Sequence, residues 1–87
     1  MDPEYSEGYK NRGTARYFLK EYDGAITDFG RVLNLNPEDR EVYKYRAQVY
    51  NEKQEYAKAL ADWRKVQDLG GAVDPKFLEE LIRKSGE

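Results

Sequence analysis

The feature that most limits what this chain of 87 residues can fold into is that it repeats itself. Residues 6–39 laid over residues 40–73 without a gap give ten identical pairs in 34 positions: Glu7/Glu41, Tyr9/Tyr43, Lys10/Lys44, Arg12/Arg46, Glu21/Glu55, Tyr22/Tyr56, Ala25/Ala59, Asp28/Asp62, Val32/Val66 and Leu35/Leu69. Two unrelated stretches of average composition would share about two. Conservative pairs lie between them, among them Gly13/Ala47, Ile26/Leu60, Phe29/Trp63 and Arg31/Lys65. A period of this length describes one supersecondary unit that cannot bury its own apolar face and must stack on a neighbour.

Inside each unit the apolar positions recur at helical spacing, as in Tyr43, Ala47, Tyr50 and then Tyr56, Ala59, Leu60, Trp63, Val66. Each repeat therefore reads as two amphipathic helices, near 6–19 and 23–35, and near 40–53 and 57–69. The break at Lys20-Glu21-Tyr22 carries little turn chemistry, whereas Asn36-Pro37-Glu38-Asp39 is a plain stop and restart with good capping residues. Gly70-Gly71 ends the fourth helix. Asp74 as N-cap and Pro75 at the first helical position then open a fifth, with Phe77, Leu78, Leu81 and Ile82 on one apolar face. The expected organisation is a single domain over 1–87: repeat one at 6–39, repeat two at 40–73 and a capping helix at 74–85. Met1-Asp2-Pro3-Glu4 nearly copies the repeat ending Leu35-Asn36-Pro37-Glu38 one period later. It is expected to imitate the junction with a preceding unit, as in a chain taken from a longer array.

Composition closes most other classes. There is no histidine and no cysteine, which removes Cys/His zinc sites, thiol nucleophiles, disulfides and any Ser-His-Asp arrangement. Neither enzymatic activity nor a cofactor or metal is expected. The 15 basic and 17 acidic side chains alternate along the chain, the pattern of a solvated helical surface and not of a nucleic-acid or membrane footprint. Arg16 beside Tyr17 suggests base stacking, but no basic stripe continues into the second unit. No apolar stretch approaches the ~20 residues a membrane helix needs. A cytoplasmic location is the working expectation.

At Tyr9-x2-Arg12-Gly13, Ala25-x3-Phe29 and Pro37, and again at Tyr43-x2-Arg46-Ala47-x2-Tyr50 and Ala59-x3-Trp63, the chain resembles the tetratricopeptide repeat family, whose unit is 34 residues long. The resemblance implies an all-α, right-handed α-solenoid of two helix-turn-helix hairpins and a fifth, capping helix. Three departures stand out: Arg16 where a Tyr is expected, Gly71 in place of the closing Pro, and arginine in place of Leu at both Arg12 and Arg46. Because the last departure repeats, its partner should repeat too. Aspartate follows 16 residues later in each unit, so two ion pairs are expected, Arg12 with Asp28 and Arg46 with Asp62, each clamping its own hairpin.

The resemblance also implies a protein-interaction scaffold whose first helices line a concave groove. Position by position it puts Glu7, Lys10, Thr14 and Tyr17 in the groove from repeat one, and Glu41, Lys44, Gln48 and Asn51 from repeat two. Lys10 and Lys44 then either hold a carboxylate together or face solvent beside Glu7 and Glu41. One subclass of the family grips the C-terminal carboxylate of heat-shock chaperones with Lys, Asn and Arg residues; this chain matches it at Lys10 only. Tyr17, Phe18 and Leu19 form the one exposed-looking apolar cluster of repeat one; Tyr17 is the expected ligand contact, and Phe18 and Leu19 are expected to pack inside the first hairpin. Phe77 and Leu81 should cover the end of the second, with Leu78 and Ile82 nearer the groove. Gly30, mid-helix at a cost of ~1 kcal/mol relative to alanine, suggests close approach of another backbone. The function expected is binding of a protein or peptide partner in the groove. The alternative is structural self-association, a weak homodimer through the open first-repeat end or the capping helix.

Overall fold

A computed structural model describes residues 3–86. Among these residues the chain forms five helices and no strand: α1 (Pro3–Phe18), α2 (Tyr22–Leu35), α3 (Arg40–Glu52), α4 (Tyr56–Asp68) and α5 (Pro75–Ser85). They stack in chain order, α1 on α2, α2 on α3, α3 on α4 and α4 on α5, as an all-α solenoid. Of the segment expected to imitate a repeat junction, Pro3 and Glu4 already belong to α1, and Met1 and Asp2 lie outside the described residues.

The helix ends follow from local chemistry. Asp39 accepts a hydrogen bond from the Val42 amide and Asp74 one from the Lys76 amide, so each satisfies an N–H that the first helical turn leaves open. The two turns inside the repeats close in the same way. Lys20 and Gln54 both adopt φ 62°, and the bonds Glu21 N to Arg16 O and Glu55 N to Tyr50 O complete a Schellman motif at the ends of α1 and α3. Gly70, at φ 89°, does this for α4, with Gly71 N donating to Val66 O. Gly71 has a further reason to lack a side chain. A Cβ there would stand 2.5 Å from Val66 Cγ1 and 2.8 Å from Arg40 Cδ.

Two apolar clusters fill the solenoid. Ala25, Phe29, Val32 and Leu33 of α2 meet Val42 and Val49 of α3. Ala47 of α3 meets Ala59, Leu60, Trp63 and Val66 of α4 and Leu81 of α5. α3 thus has two buried faces, and half-buried Tyr43 packs against both clusters. α1 has one. Its positions equivalent to Val42, Tyr45 and Val49 are Gly8, Asn11 and Ala15, all exposed, so its outer side lacks the apolar groups that α3 offers to α2. α5 closes the other end with Leu81 buried and Phe77 edge-on to Trp63, ring centroids 5.3 Å apart. Leu78 and Ile82 also pack against the second cluster, half-buried.

Two expectations are corrected. Phe18 and Leu19 are 75% and 69% exposed, because α1 ends at Phe18 and the turn through Lys20 carries both outward. Gly30 has no neighbour that a Cβ would touch within 4 Å, so no second backbone approaches it.

Candidate functional site

Both hairpins are clamped by a bidentate ion pair. Arg12 Nε and Nη2 donate to Asp28 at 2.9 and 2.8 Å, and Arg46 Nε and Nη2 donate to Asp62 at 2.8 and 2.9 Å. Around Asp28 stand two more guanidinium groups, Arg16 at 3.4 Å and Arg31 at 3.4 Å. The hydrogen bond from Arg12 holds the Asp28 carboxyl below its ordinary value; burial opposes this, and the charges of Arg12, Arg16 and Arg31 add to it. Asp28 is fully buried, so it needs that compensation. Gly24 leaves the room: a Cβ there would sit 2.9 Å from the Arg16 side chain.

The outward stripe of α1 and α3 holds the expected groove residues in three different states. Glu7, Glu41 and Lys44 are exposed, while Lys10, Thr14, Tyr17, Gln48 and Asn51 are half-buried. Thr14 Oγ1 donates back to the Lys10 carbonyl at 2.9 Å, which turns its hydroxyl along the helix. Tyr17 packs on the first cluster, its ring 5.6 Å from Phe18 and 6.2 Å from Tyr22. Burial, the nearby Glu52 carboxylate and Tyr22 push its hydroxyl pKa up.

The two lysines are not equivalent. Lys10 Nζ lies 3.0 Å from Asp39 Oδ2 and 3.5 Å from Glu41 Oε1, joining α1 to the start of α3. Burial works against its charge, but the hydrogen bond to Asp39 and the two carboxylates outweigh it and raise its pKa. One period later, Lys44 would need acids at positions 73 and 75 and finds Val73 and Pro75. Lys44 accordingly makes no ion pair among the described residues. It lines instead a cleft of about 340 Å³ with Arg40, Glu41, Val66 and the loop Gly70-Gly71-Ala72. Arg40 Nη1 reaches the Leu69 carbonyl at 3.3 Å, filling one of the acceptors that α4 leaves open at its C-terminus.

Arg40, Phe18 and Leu19 are the members of this face that sequence reasoning did not select. The offset of 34 residues contained the signal for Lys44, through the replacement of Asp39 and Glu41 by Val73 and Pro75. Phe18 and Leu19 stood out in the sequence as part of an exposed-looking apolar cluster, and the expectation that they pack inside the hairpin set that signal aside.

The family model for the tetratricopeptide repeat matches residues 6–39. Residues 3–86 fold as a stack of helix pairs in which that 34-residue unit is followed by a second, similar one. Residues 6–39 are a tetratricopeptide repeat, and the described helices have the all-α solenoid fold of that family. Repeats of this kind place the chain among protein–protein interaction modules. It is similar to U-box domain-containing protein 70 of Oryza sativa subsp. japonica, 29% identical over 98% of this chain and 10% of that protein. It also resembles Hsp70-Hsp90 organizing protein 2 of Arabidopsis thaliana, 33% identical over 48% of this chain and 7% of that one. The fold is shared with the N-terminal domain of stress-induced protein-1 (STI-1) from C. elegans at a TM-score of 0.73 and 22% identity, over 95% of this chain and 67% of the other. The tetratricopeptide chain spans between 7% and 14% of the length of the curated relatives it matches. None of its described helices is long and apolar enough to cross a membrane.

Proposed function

We propose that this domain binds an extended segment of a partner protein along the outward stripe of α1 and α3, by recognition and not by catalysis. The observation that carries this reading is Lys44, an exposed ammonium without a carboxylate partner among the described residues, standing at a cleft that opens beside Glu41 on the same stripe. Glu7, Thr14, Tyr17, Gln48 and Asn51 supply polar and aromatic contacts around it, and such mixed surfaces suit transient binding. With about 1,000 Å² buried, the affinity expected is micromolar.

Two relatives are named as Hsp70-Hsp90 organizing proteins of Arabidopsis thaliana. Chaperone-tail binding is not favoured for this chain, because its one matching position, Lys10, is already held by Asp39 and Glu41. Self-association through the outer side of repeat one has weaker support, since Gly8, Asn11 and Ala15 replace the apolar groups a stacking face needs. Light scattering across a concentration series checks it, with a constant monomer expected.

The test of the groove reading is affinity capture from native lysate on the immobilised domain, beside a Lys44→Ala variant whose fold is checked by circular dichroism. Partners held by the parent and lost by the variant are the expected result. Capture that ignores the variant would move the site off this stripe.

A further inference from the structure

The outward stripe ends in two unlike places. At one end Arg40 and Lys44, one helical turn apart, flank the cleft beside the α4–α5 loop. At the other, Phe18 and Leu19 are two of the three large apolar side chains most exposed among the described residues, the third being Tyr5. Phe18 lies four residues after Thr14, on the same side of α1, and its ring meets that of Tyr17. The turn that carries it is fixed by the hydrogen bonds of Lys20 and Glu21 back to Tyr17 and Arg16. Repeat two has Glu52 and Lys53 at the equivalent positions, and there Lys53 is bound to Asp23 and Glu55. This apolar pair is held outward on an ordered turn, Phe18 touching Tyr17 but neither residue belonging to the two apolar clusters.

From these placements we infer that the groove reads a partner segment with a fixed polarity: an acidic side chain at Arg40 and Lys44 and a bulky apolar side chain at Phe18 and Leu19. The inference rests on the groove reading above and adds a direction and a spacing to it. Lys44 is the equivalent of Lys10 one period later, and Phe18 lies eight residues beyond Lys10 along α1, about 12 Å at 1.5 Å per residue. Adding the 8–10 Å between neighbouring helix axes gives a diagonal of about 15 Å. An extended chain at ~3.3 Å per residue covers that in four or five residues. Charge enforces the direction. Beside Lys53, which is held by Asp23 and Glu55, the apolar end carries Lys20, Glu21 and Glu52, so negative charge predominates there. Neither Glu21 nor Glu52 makes an ion pair among the described residues, so a reversed segment would set its acid against them. The anion contact also differs from one built on Lys10, because that ammonium is neutralised within the fold.

The experiment is selection of displayed random dodecapeptides on the whole 87-residue domain, followed by fluorescence anisotropy with each peptide in C-terminally amidated and free-acid form. The parent is compared with Phe18→Ser and Lys44→Glu, both exposed positions whose fold is checked by circular dichroism. Enriched peptides should pair Asp or Glu with Leu, Met or Phe four or five residues away. Phe18→Ser should weaken them about ten- to hundredfold, the loss of one buried aromatic contact. Lys44→Glu should weaken them by about tenfold or more and shift preference to a Lys in place of the acid. Peptides sensitive to Lys44→Glu but not to Phe18→Ser, or without the spacing, or active only with a free C-terminus, would overturn the polarity and leave the groove in place. Peptides indifferent to both variants, or no enrichment at all, would overturn both.

Discussion

Repeat one and repeat two solve the same problem with different amounts of redundancy. Each must hold two helices together through a buried aspartate. Asp28 does so beneath three guanidinium groups, and the one that bonds it in two places, Arg12, is 47% exposed. Asp62 is bonded among the described residues by one arginine, Arg46, whose side chain is 22% exposed and approaches the rings of Tyr43 and Tyr50, 5.7 and 5.8 Å from their centroids. A second exchange accompanies the first. Where repeat one sets Arg16 over Gly24, repeat two sets Tyr50 against Lys58, whose ammonium lies 5.7 Å from the ring. The cation has moved from the first helix to the second and the space-filling group has moved the other way. Identical positions in a repeat therefore do not imply equal energetic weight.

The largest expected effect breaks this symmetry directly. Arg46→Ala strands Asp62, 5% exposed, without its partner, and should destabilise the domain by about 3 kcal/mol or more in urea unfolding. Arg12→Ala leaves Asp28 with Arg16 and Arg31 and should cost clearly less. Equal losses would mean that the extra arginines do not substitute for Arg12. Next comes Gly13→Ala. Its Cβ would stand 2.8 Å from the Phe29 ring, so a net loss in melting temperature is expected despite alanine's advantage of ~1 kcal/mol in a helix. At the intra-repeat turns Lys20→Gly and Gln54→Gly should each stabilise by about 1 kcal/mol, because both residues sit in the left-handed region. Gly30→Ala, in open space on α2, should gain ~1 kcal/mol or less. Acid titration gives the smallest signal. Asp28 is held below its ordinary carboxyl value, so its contribution is present above about pH 4 and is lost as pH falls through the lowered value. Asp28→Asn should flatten the stability curve in that range.

The repeat arithmetic made the architecture readable before any coordinates. Every helix lies within three residues of where periodicity and capping residues put it, and the largest shift is the start of α1 at Pro3. The weakly signalled break after α1 is physically intelligible: its turn uses lysine, not glycine, in the left-handed conformation, and the sequence has no mark for that. The exposure of Phe18 and Leu19 has the same cause, since apolar residues at the last position of a helix and one step beyond it point wherever the turn sends them. The engagement of Lys10 depends on the loop from Asn36 to Asp39 folding back to α1, a tertiary contact that no helical period encodes. Gly71 had a steric cause, the Val66 and Arg40 side chains, that becomes visible only when α3 and α4 are packed.

Tyr43 packs against both apolar clusters, and its hydroxyl donates to the Pro37 carbonyl at 3.1 Å, in the link between the units. The chain has one tryptophan, and it sits in the second cluster. Fluorescence thus watches one unit melt while far-ultraviolet dichroism watches both. In a linear array the coupling between neighbours decides whether units melt singly or as a block. Shortening Tyr43 is expected to weaken that coupling, which would show as a divergence between the two signals.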